Sequence, residues 1–411
     1  MTYAGFVIPV YNTRPEALRR TLNDLLERTT LPIYVVDDGS MRKETLDLLR
    51  AYEKVGQVEV IYHERNKGKI EALHTGVKQG NVTYPFFIDD DVSIKVNSKN
   101  KDKSLDNIIN EEINYLSQNE NVVCTVYPVG ARNLDESFLT RIQHLEHIIP
   151  TYFVRKMLNS GLYVGGSGSL WKSDKFEQVY NFHSKEHEGD DLETTLAVYE
   201  LSERDGKGLT IHFSDNLILL ADLEPKFKNW FKQRLKWEYG KWRLLPKYYK
   251  QIMKNPHIFA YYFASVALAS SIISFIFFSK QIPPETVPLL YSGLLLLSIG
   301  SERPYRWSNS NRLKESAIHM PYIGLLSAYY PPALLVAPLY TYAIAETIYK
   351  MYGLPEDPIS QDASKRIGIV DALGLFAYSM FYLVVLQPAG MAYSAYRKLK
   401  SLLEQEWKCC Y

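Results

Sequence analysis

The side chains best suited to do chemistry in this chain are acidic and come in three runs. FIDDDV at 87–92 carries Asp89, Asp90 and Asp91, VVDDGS at 35–40 carries Asp37 and Asp38, and EGDDLETTL at 188–196 carries Asp190 and Asp191. Like charges packed at a strand end repel one another and are costly unless a cation or several donors offset them. Mg²⁺ or Mn²⁺ bridging to a diphosphate would provide that offset. A solvated acidic turn would explain FIDDDV equally well, because carboxylate spacing alone is a weak metal signal.

Other runs allow two readings as well. Asp190 or Asp191 before LETTL would cap a helix N-terminus, where acids are favoured in the first turn, and a carboxylate there can also take a proton. VGGSGSLW at 164–171 is a glycine-rich turn before a strand-like GSLW, either a flexible loop or a place where backbone approaches a ligand. Lys69, in NKGK, opens a helix, where a lone lysine is ordinarily solvated. QRLKW at 233–237 lies among Trp230, Tyr239, Trp242, Tyr248 and Tyr249 and precedes the first long apolar run. That pattern suits a membrane-interface belt, and Trp237 also offers a flat apolar face for a pyranose ring.

The elements that must position these groups alternate in type. Phe6 to Val10, Ile33 to Val36, Val58 to His63 and Tyr84 to Ile88 read as strands. Pro15 to Glu27, Thr45 to Tyr52 and Lys69 to Gly80 have helical periodicity, and the alternation predicts a mostly parallel α/β sheet. The acids fall at strand ends, where open α/β sheets bind ligands. Ser93 to Lys103 reads as a polar loop. His144, His147, His183, His187 and His212 lack metal spacing and read as ordinary loop or core residues.

At 411 residues with a net charge of +1, the chain is too long for one ordinary domain and lacks the basic face that nucleic acid demands, so no nucleic-acid partner is expected. Cys124, Cys409 and Cys410 give neither a disulfide framework nor a CxxC metal spacing. Met1 is followed almost at once by the apolar Phe6 to Val10, so no cleavable signal peptide is expected. The mean hydropathy of −0.20 conceals a division. After Pro256 come four apolar stretches, Ile258 to Phe278, Pro283 to Gly300, Tyr322 to Tyr349 and Ile367 to Gln387, near the ~20 residues a bilayer span needs. Lys241, Arg243, Lys247, Lys250 and Lys254 before the first, and Arg303, Arg306, Arg312 and Lys314 after the second, place the N-terminal part in the cytosol. Pro331, Pro332, Pro338 and Glu346 in the third are unusual for a plain anchor.

In order, VIPVYN, VVDDGS, ERNKGKIEALHTGV, FIDDDV, VGGSGSLW, EGDDLETTL and QRLKW resemble the family-2 glycosyltransferases from Phe6 to Trp242, and within them the membrane-embedded branch of hyaluronan, chitin and cellulose synthases. The resemblance implies a GT-A fold, a Rossmann-like mixed sheet in the cytosol followed by C-terminal transmembrane helices, and inverting transfer from a UDP-sugar with Mg²⁺ or Mn²⁺. By that resemblance Tyr11 and Asp38 hold the uracil with Asp37 close by in the nucleotide-sugar site, Lys69 lies near base or phosphates, and Asp89 meets ribose or metal while Asp91 ligates the metal. Asp191 is the general base, and Gly166, Ser167, Gly168 and Asp190 line the acceptor site. Gln233 and Trp237 would face the acceptor and Lys236 the diphosphate. Lys236 stands where the family has Arg and loses the planar fork, so Arg234 would share that contact. Asp90 occupies a position that is usually small.

The expected organisation is a catalytic domain over 1–225, an interface segment over 226–256, a transmembrane region over 257–390 and an amphipathic tail over 391–411. The leading function is a processive polysaccharide synthase with a polymer acceptor, in contact with membrane lipid. The alternatives are transfer of a single sugar to a lipid, as ceramide glucosyltransferases do, or an inactive membrane scaffold. Four spans are few for a wide channel in one chain, so a homodimer is compatible with the reading.

Overall fold

A computed structural model describes residues 4–56, 58–148, 155, 160–185, 189–255, 258–259, 261–262, 374, 377–378 and 381–409. Of the four stretches expected to span a bilayer, the second and third lie wholly outside that set, the first is described only at 258–259 and 261–262, and the fourth at 374, 377–378 and 381–387. Among the described residues no helix is long and apolar enough to cross a membrane. The chain divides into two compact units, one of Met1–Trp230 with Arg243–Gln251, the other of Phe231–Trp242 with Ile252–Tyr411.

The first unit is a three-layered α/β structure. Its elements are β1 (Ala4–Val10), α1 (Pro15–Arg28), β2 (Ile33–Asp37), α2 (Lys43–Lys54), β3 (Glu59–Tyr62), α3 (Lys69–Gln79), β4 (Tyr84–Ile88), β5 (Val92–Val96), α4 (Leu105–Gln118), β6 (Val122–Val126), β7 (Val129–Ala131), α5 (Phe138–Ile148), β8 (Gly168–Trp171), α6 (Ser173–Phe182), α7 (Asp190–Asp205), β9 (Thr210–Phe213) and β10 (Leu217–Ala221). The main sheet has the order β3-β2-β1-β4-β8-β6-β9. β1, β2, β3 and β4 run parallel, whereas β8 is antiparallel to both β4 and β6. A smaller sheet, β5-β10-β7, is also mixed. The expected mixed α/β sheet is present, with the antiparallel strand supplied by GSLW.

Successive strand residues face opposite sides, and here both sides are covered. Phe6, Ile8, Val35, Phe86 and Ile88 join Leu18, Leu22, Ile109 and Leu116 in one core. Val7, Val36, Phe87 and Trp171 join Leu73, Val77, Phe176 and Val198 in the other. Two buried faces explain why these strands read as continuous apolar runs rather than as alternations. α1 buries Ala17, Leu18, Thr21, Leu22 and Leu25, one helical stripe, and opens with Pro15, whose fixed φ suits a first turn.

The expected loop from Ser93 to Lys103 is a correction. Val92–Val96 forms β5, paired antiparallel with Leu217–Ala221, and Asn97 then caps a 3₁₀ turn at Ser98–Asn100. Val92 and Ile94 are buried while Ser93 and Lys95 alternate with them, so this strand has only one apolar face. A half-buried, lysine-bearing strand is easily mistaken for a loop when its neighbours are polar.

Helix α8 (Phe227–Lys254) follows, with Pro246 inside it and non-helical angles at Tyr248. In the second unit, a π-helical turn at Tyr382–Leu386 leads into α9 (Gln387–Cys409). Met391, Tyr393, Tyr396 and Leu399 are exposed on α9, which falls where the amphipathic tail was expected.

Candidate active site

The carboxyl ends of β1, β2 and β4 converge with the N-termini of α3 and α7, the crevice that open α/β sheets use for ligands. A small pocket there is lined by Lys69, Asp89, Val164, Gly166, Trp171 and Asp191 among others. Lys69 is its centre. Its Nζ lies 2.6 Å from Asp89 Oδ1 and 3.9 Å from Asp191 Oδ1, and donates to Gly166 O at 2.9 Å. Burial alone would lower the Lys69 pKa, but Asp89 and Asp191 outweigh it and raise the value. The lysine therefore stays a fixed cation between two carboxylates from distant parts of the chain.

The Asp191 side chain lines the pocket and is 51% exposed. Desolvation raises its pKa, Lys69 opposes that, and Asp89 adds to it. Asp190 is pushed up to about 7, first by burial and then by Asp191. Both occupy the first turn of α7, after Gly189 in the left-handed region, so they are first-turn acids rather than the cap itself. The glycine-rich turn touches them directly. A Cβ on Gly166 would lie 2.2 Å from Asp191 Oδ2, so only glycine leaves that carboxylate its place. Ser167 O accepts from Asp89 N at 3.3 Å, and Gly168 opens β8 beside Ile88. Lys69, Asp89, Asp191 and the Gly166–Gly168 turn, predicted separately from sequence, are brought together.

Asp90 and Asp91 continue the same strand end. Asp90 is pushed up to about 7 by burial, with Asp91 and Asp89 adding to it, although Thr13 Oγ1 donates to Asp90 Oδ2. Asp91 is pushed up to about 6, again chiefly by burial and then by Asp89 and Asp222. The loop is held from the second sheet. Arg132 grips Asp222 with Nε and Nη2, each at 2.8 Å, and donates to Ser93 Oγ at 2.8 Å and to Asp91 O at 2.9 Å. The donor set is all carboxylate and under-balanced in charge, which fits a hard divalent cation. Among the described residues no group of three or more His, Cys, Asp or Glu is arranged to hold a metal. Such an ion would take one or two of these carboxylates and complete its shell with substrate phosphate, as Mg²⁺ commonly does.

The DDGS turn is placed differently. Asp38 is buried, and its oxygens accept from His63 Nδ1 (2.7 Å), Lys67 N (2.9 Å) and Gly68 N (2.8 Å). His63 Nε2 is 3.0 Å from Thr75 Oγ1 on α3. Asp38 thus anchors the turn that presents Lys69. Asp37 accepts from Ser40 N at 3.3 Å with both oxygens, and burial raises its pKa. Gly39 sits at φ +74° with its Cα against the backbone of Arg65 and Asn66, where a Cβ would come within 2.6 Å. Asn12 Oδ1 accepts from Met41 N (2.8 Å) and Arg42 N (3.0 Å), and Tyr11 beside it is 48% exposed.

QRLKW lies in the second unit, on α8. Gln233, Lys236 and Trp237 are exposed there, whereas Arg234 is buried with its guanidinium 4.0 Å above the Trp237 ring. One turn on, Glu238 pairs with Lys241 at 2.5 Å and accepts from Tyr382 OH at 2.6 Å. Burial pushes the Lys241 pKa down to about 8 against the pull of Glu238.

Sequence reasoning did not single out Arg132, Asp222, Thr13, His63 or Glu193. Arg132 follows the short β7 directly, and only its partner Asp222, 90 residues on, gives it meaning.

Residues 6–101 match the model of the family described as "Glycosyl transferase family 2". No curated protein matches the sequence. Among solved structures, the chain is similar to the mannosyltransferase PcManGT from Pyrobaculum calidifontis in complex with GDP-Man and Mn²⁺, at 15% identity and a TM-score of 0.46, covering 77% of this chain and 86% of that one. It is also similar to GalNAc-T7 with UDP, GalNAc and Mn²⁺, at 15% identity and a TM-score of 0.38, covering 54% of this chain and 43% of that one.

Proposed function

We propose that this chain is an inverting glycosyltransferase that takes a sugar from a UDP-sugar at the pocket around Lys69, Asp89 and Asp191. The observation that carries the reading is the meeting of Asp191, at the start of α7, with the strand-end carboxylate Asp89 across a single lysine. The family match over residues 6–101 supports the donor half of the site.

In this reading the acceptor hydroxyl is seated against Gly166, whose bare Cα lets it approach Asp191. The hydroxyl oxygen attacks the anomeric carbon, its proton passes to an Asp191 oxygen, and the bond from that carbon to the diphosphate breaks, releasing the nucleoside diphosphate. A pKa raised by desolvation makes the Asp191 carboxylate a better proton acceptor than an ordinary aspartate. Asp89 and Asp91 would hold Mg²⁺ or Mn²⁺, which when bound neutralises charge on the leaving diphosphate. Lys69 binds near the same phosphates and balances the carboxylates when they are ionised. Asp38, through Lys67 N and Gly68 N, keeps Lys69 in reach.

The apolar stretches after Pro256 and the basic, aromatic α8 support an integral membrane protein with this site in the cytosol, extending a polysaccharide that feeds toward its own spans. The test is to incubate the purified full chain with Mn²⁺ and each UDP-sugar and to size the product. A high-mass, glycosidase-sensitive polymer is the expected result. A single sugar on extracted lipid would replace the polymer with a lipid acceptor. Absence of UDP release with every donor, or release unchanged by Asp191→Asn, would refute the assignment, since loss of a general base should cost roughly 10²- to 10⁴-fold.

A further inference from the structure

Glu193 is fully buried although it carries a charge, and it lies two residues beyond Asp191 on α7. Two helical residues turn through about 200°, so Glu193 points away from the pocket that Asp191 faces. Its oxygens are saturated on that far side. Oε1 accepts from Ser184 N (2.8 Å), Lys247 Nζ (2.9 Å) and Tyr248 OH (3.3 Å). Oε2 accepts from Ser184 Oγ (2.6 Å) and lies 3.6 Å from both His183 Nδ1 and Arg243 Nη2. The ring of contacts closes on itself. Arg243 Nη1 donates to Ser184 Oγ at 3.2 Å, Tyr248 OH to Phe182 O at 3.0 Å, and His183 Nε2 is 3.3 Å from Asp190 O in the first turn of α7.

A buried carboxylate is costly unless it is paired and hydrogen-bonded, and this one is over-supplied. Burial would raise its pKa, but His183, Ser184 and Lys247 hold it below the ordinary value. Its cationic partners come from a kinked stretch. Pro246 has no N–H to give the preceding turn, and Tyr248, two residues on, leaves helical angles at φ −113° and ψ 24°. Lys247 and Tyr248 thus reach Glu193 from the point where α8 bends.

We propose that Glu193 is a positioning residue for sugar transfer: by tying α7 to the Phe182–Lys185 turn and to the bent Arg243–Tyr248 segment, it fixes how far Asp191 reaches into the pocket. The inference rests on Asp191 being the base, and it makes Glu193 a contributor to transfer that touches no substrate. A carboxylate displaced by roughly 1 Å can cost on the order of 10²-fold in rate.

The experiment compares full-length wild type with Glu193→Gln, measuring donor KM, kcat for transfer to the acceptor, donor hydrolysis by water, and the melting midpoint. Glu193→Gln keeps an oxygen that can accept from Ser184 N, turns the other position into an N–H donor facing Ser184 Oγ, and removes the charge facing Lys247 and Arg243. The expected result is a transfer kcat lowered roughly 10- to 100-fold with donor KM changed less than about threefold, and a higher ratio of hydrolysis to transfer. Transfer within about twofold of wild type overturns the proposal, as does loss of kcat in step with loss of donor binding. If Glu193→Gln does not fold, Lys247→Met and Arg243→Gln decide in its place, because both cations are more exposed than Glu193. They are expected to show the same split at smaller amplitude, and normal transfer in both overturns the proposal. A wild type that turns over no donor refutes the glycosyltransferase reading itself and is told apart by that.

Discussion

Replacing Gly166 with alanine tests the site by adding one carbon atom. The new Cβ would lie 2.8 Å from Asp191 Cγ, 2.9 Å from Oδ1 and 2.2 Å from Oδ2, the last more than 1 Å short of an ordinary contact at 3.4 Å. Gly166 is not among the residues with positive φ, so the substitution adds no backbone strain. The conflict must be relieved by moving the Asp191 carboxylate, which has open pocket beside it, and the fold should lose less than about 1 kcal/mol. The reaction has no such freedom. A base displaced by ~1 Å should lower kcat on the order of 10²-fold, about 2.7 kcal/mol of barrier. Gly165 is the internal control, since a Cβ there meets only Arg155 Nη2 at 3.9 Å. The assay is donor and acceptor kinetics with UDP release as readout, alongside melting of each variant. Gly166→Ala should separate from Gly165→Ala by more than about tenfold in kcat with donor KM nearly unchanged. Equal effects at the two glycines, or a Gly166→Ala enzyme as fast as wild type, would refute the role given to Asp191.

Stability should depend on pH and metal in a linked way. Asp90 and Asp91 have folded pKa values near 7 and 6 against an ordinary 3.8. Values raised in this sense favour the fold most at pH below 3.8, and the advantage is lost as pH climbs through 6 to 7. Mn²⁺ needs the ionised acids, so it should raise the melting midpoint more at pH 8 than at pH 5. Saturation a hundredfold above Kd corresponds to about 2.7 kcal/mol. An equal shift at both pH values would separate metal binding from these carboxylates. Arg132→Lys removes the two-pronged grip on Asp222 and weakens the hold on Asp91 O. It should raise the Mn²⁺ concentration for half-maximal activity roughly 10- to 100-fold, which a metal titration at fixed donor measures.

The strands and helices of the first hundred residues are legible because their apolar runs are long and their strand ends are polar. Lys69–Gln79 begins at the residue the pattern indicates, and Tyr84–Ile88 matches the expected strand end to end. The seams are not legible, because they depend on partners far apart in sequence. β5 was hidden by its lysine-bearing outer face, and its apolar face makes sense only beside Leu217–Ala221. Arg132, Glu193 and His63 look like ordinary charged residues until Asp222, Lys247 and Asp38 stand next to them. Asp38 is the instructive case: the sequence marks the residue, but its three donors come from a turn 25 to 30 positions away.

Those contacts sort the acids into two kinds. Asp38, Asp222 and Glu193 have their oxygens taken up by backbone N–H groups, arginine, lysine or histidine, and the pKa values of Asp222 and Glu193 are held below the ordinary range. Asp90, Asp91 and Asp190 are half-buried and Asp191 opens on the pocket, and their values are raised. Burial acts on both sets, so the difference lies in whether the fold has supplied a close cationic partner, since Asp90 and Asp37 keep raised values although Thr13 and Ser40 donate to them. Where it has, the carboxylate works as a tie between elements, and its removal should cost stability first. Where it has not, the fold carries an electrostatic cost that a cation or a transferred proton can relieve, which makes those positions the ones suited to chemistry. Lys69 is shared between Asp89 and Asp191 and cannot fully neutralise either. This residual negative charge, at the crevice where β1, β2 and β4 end, distinguishes the candidate site from the scaffold that holds it.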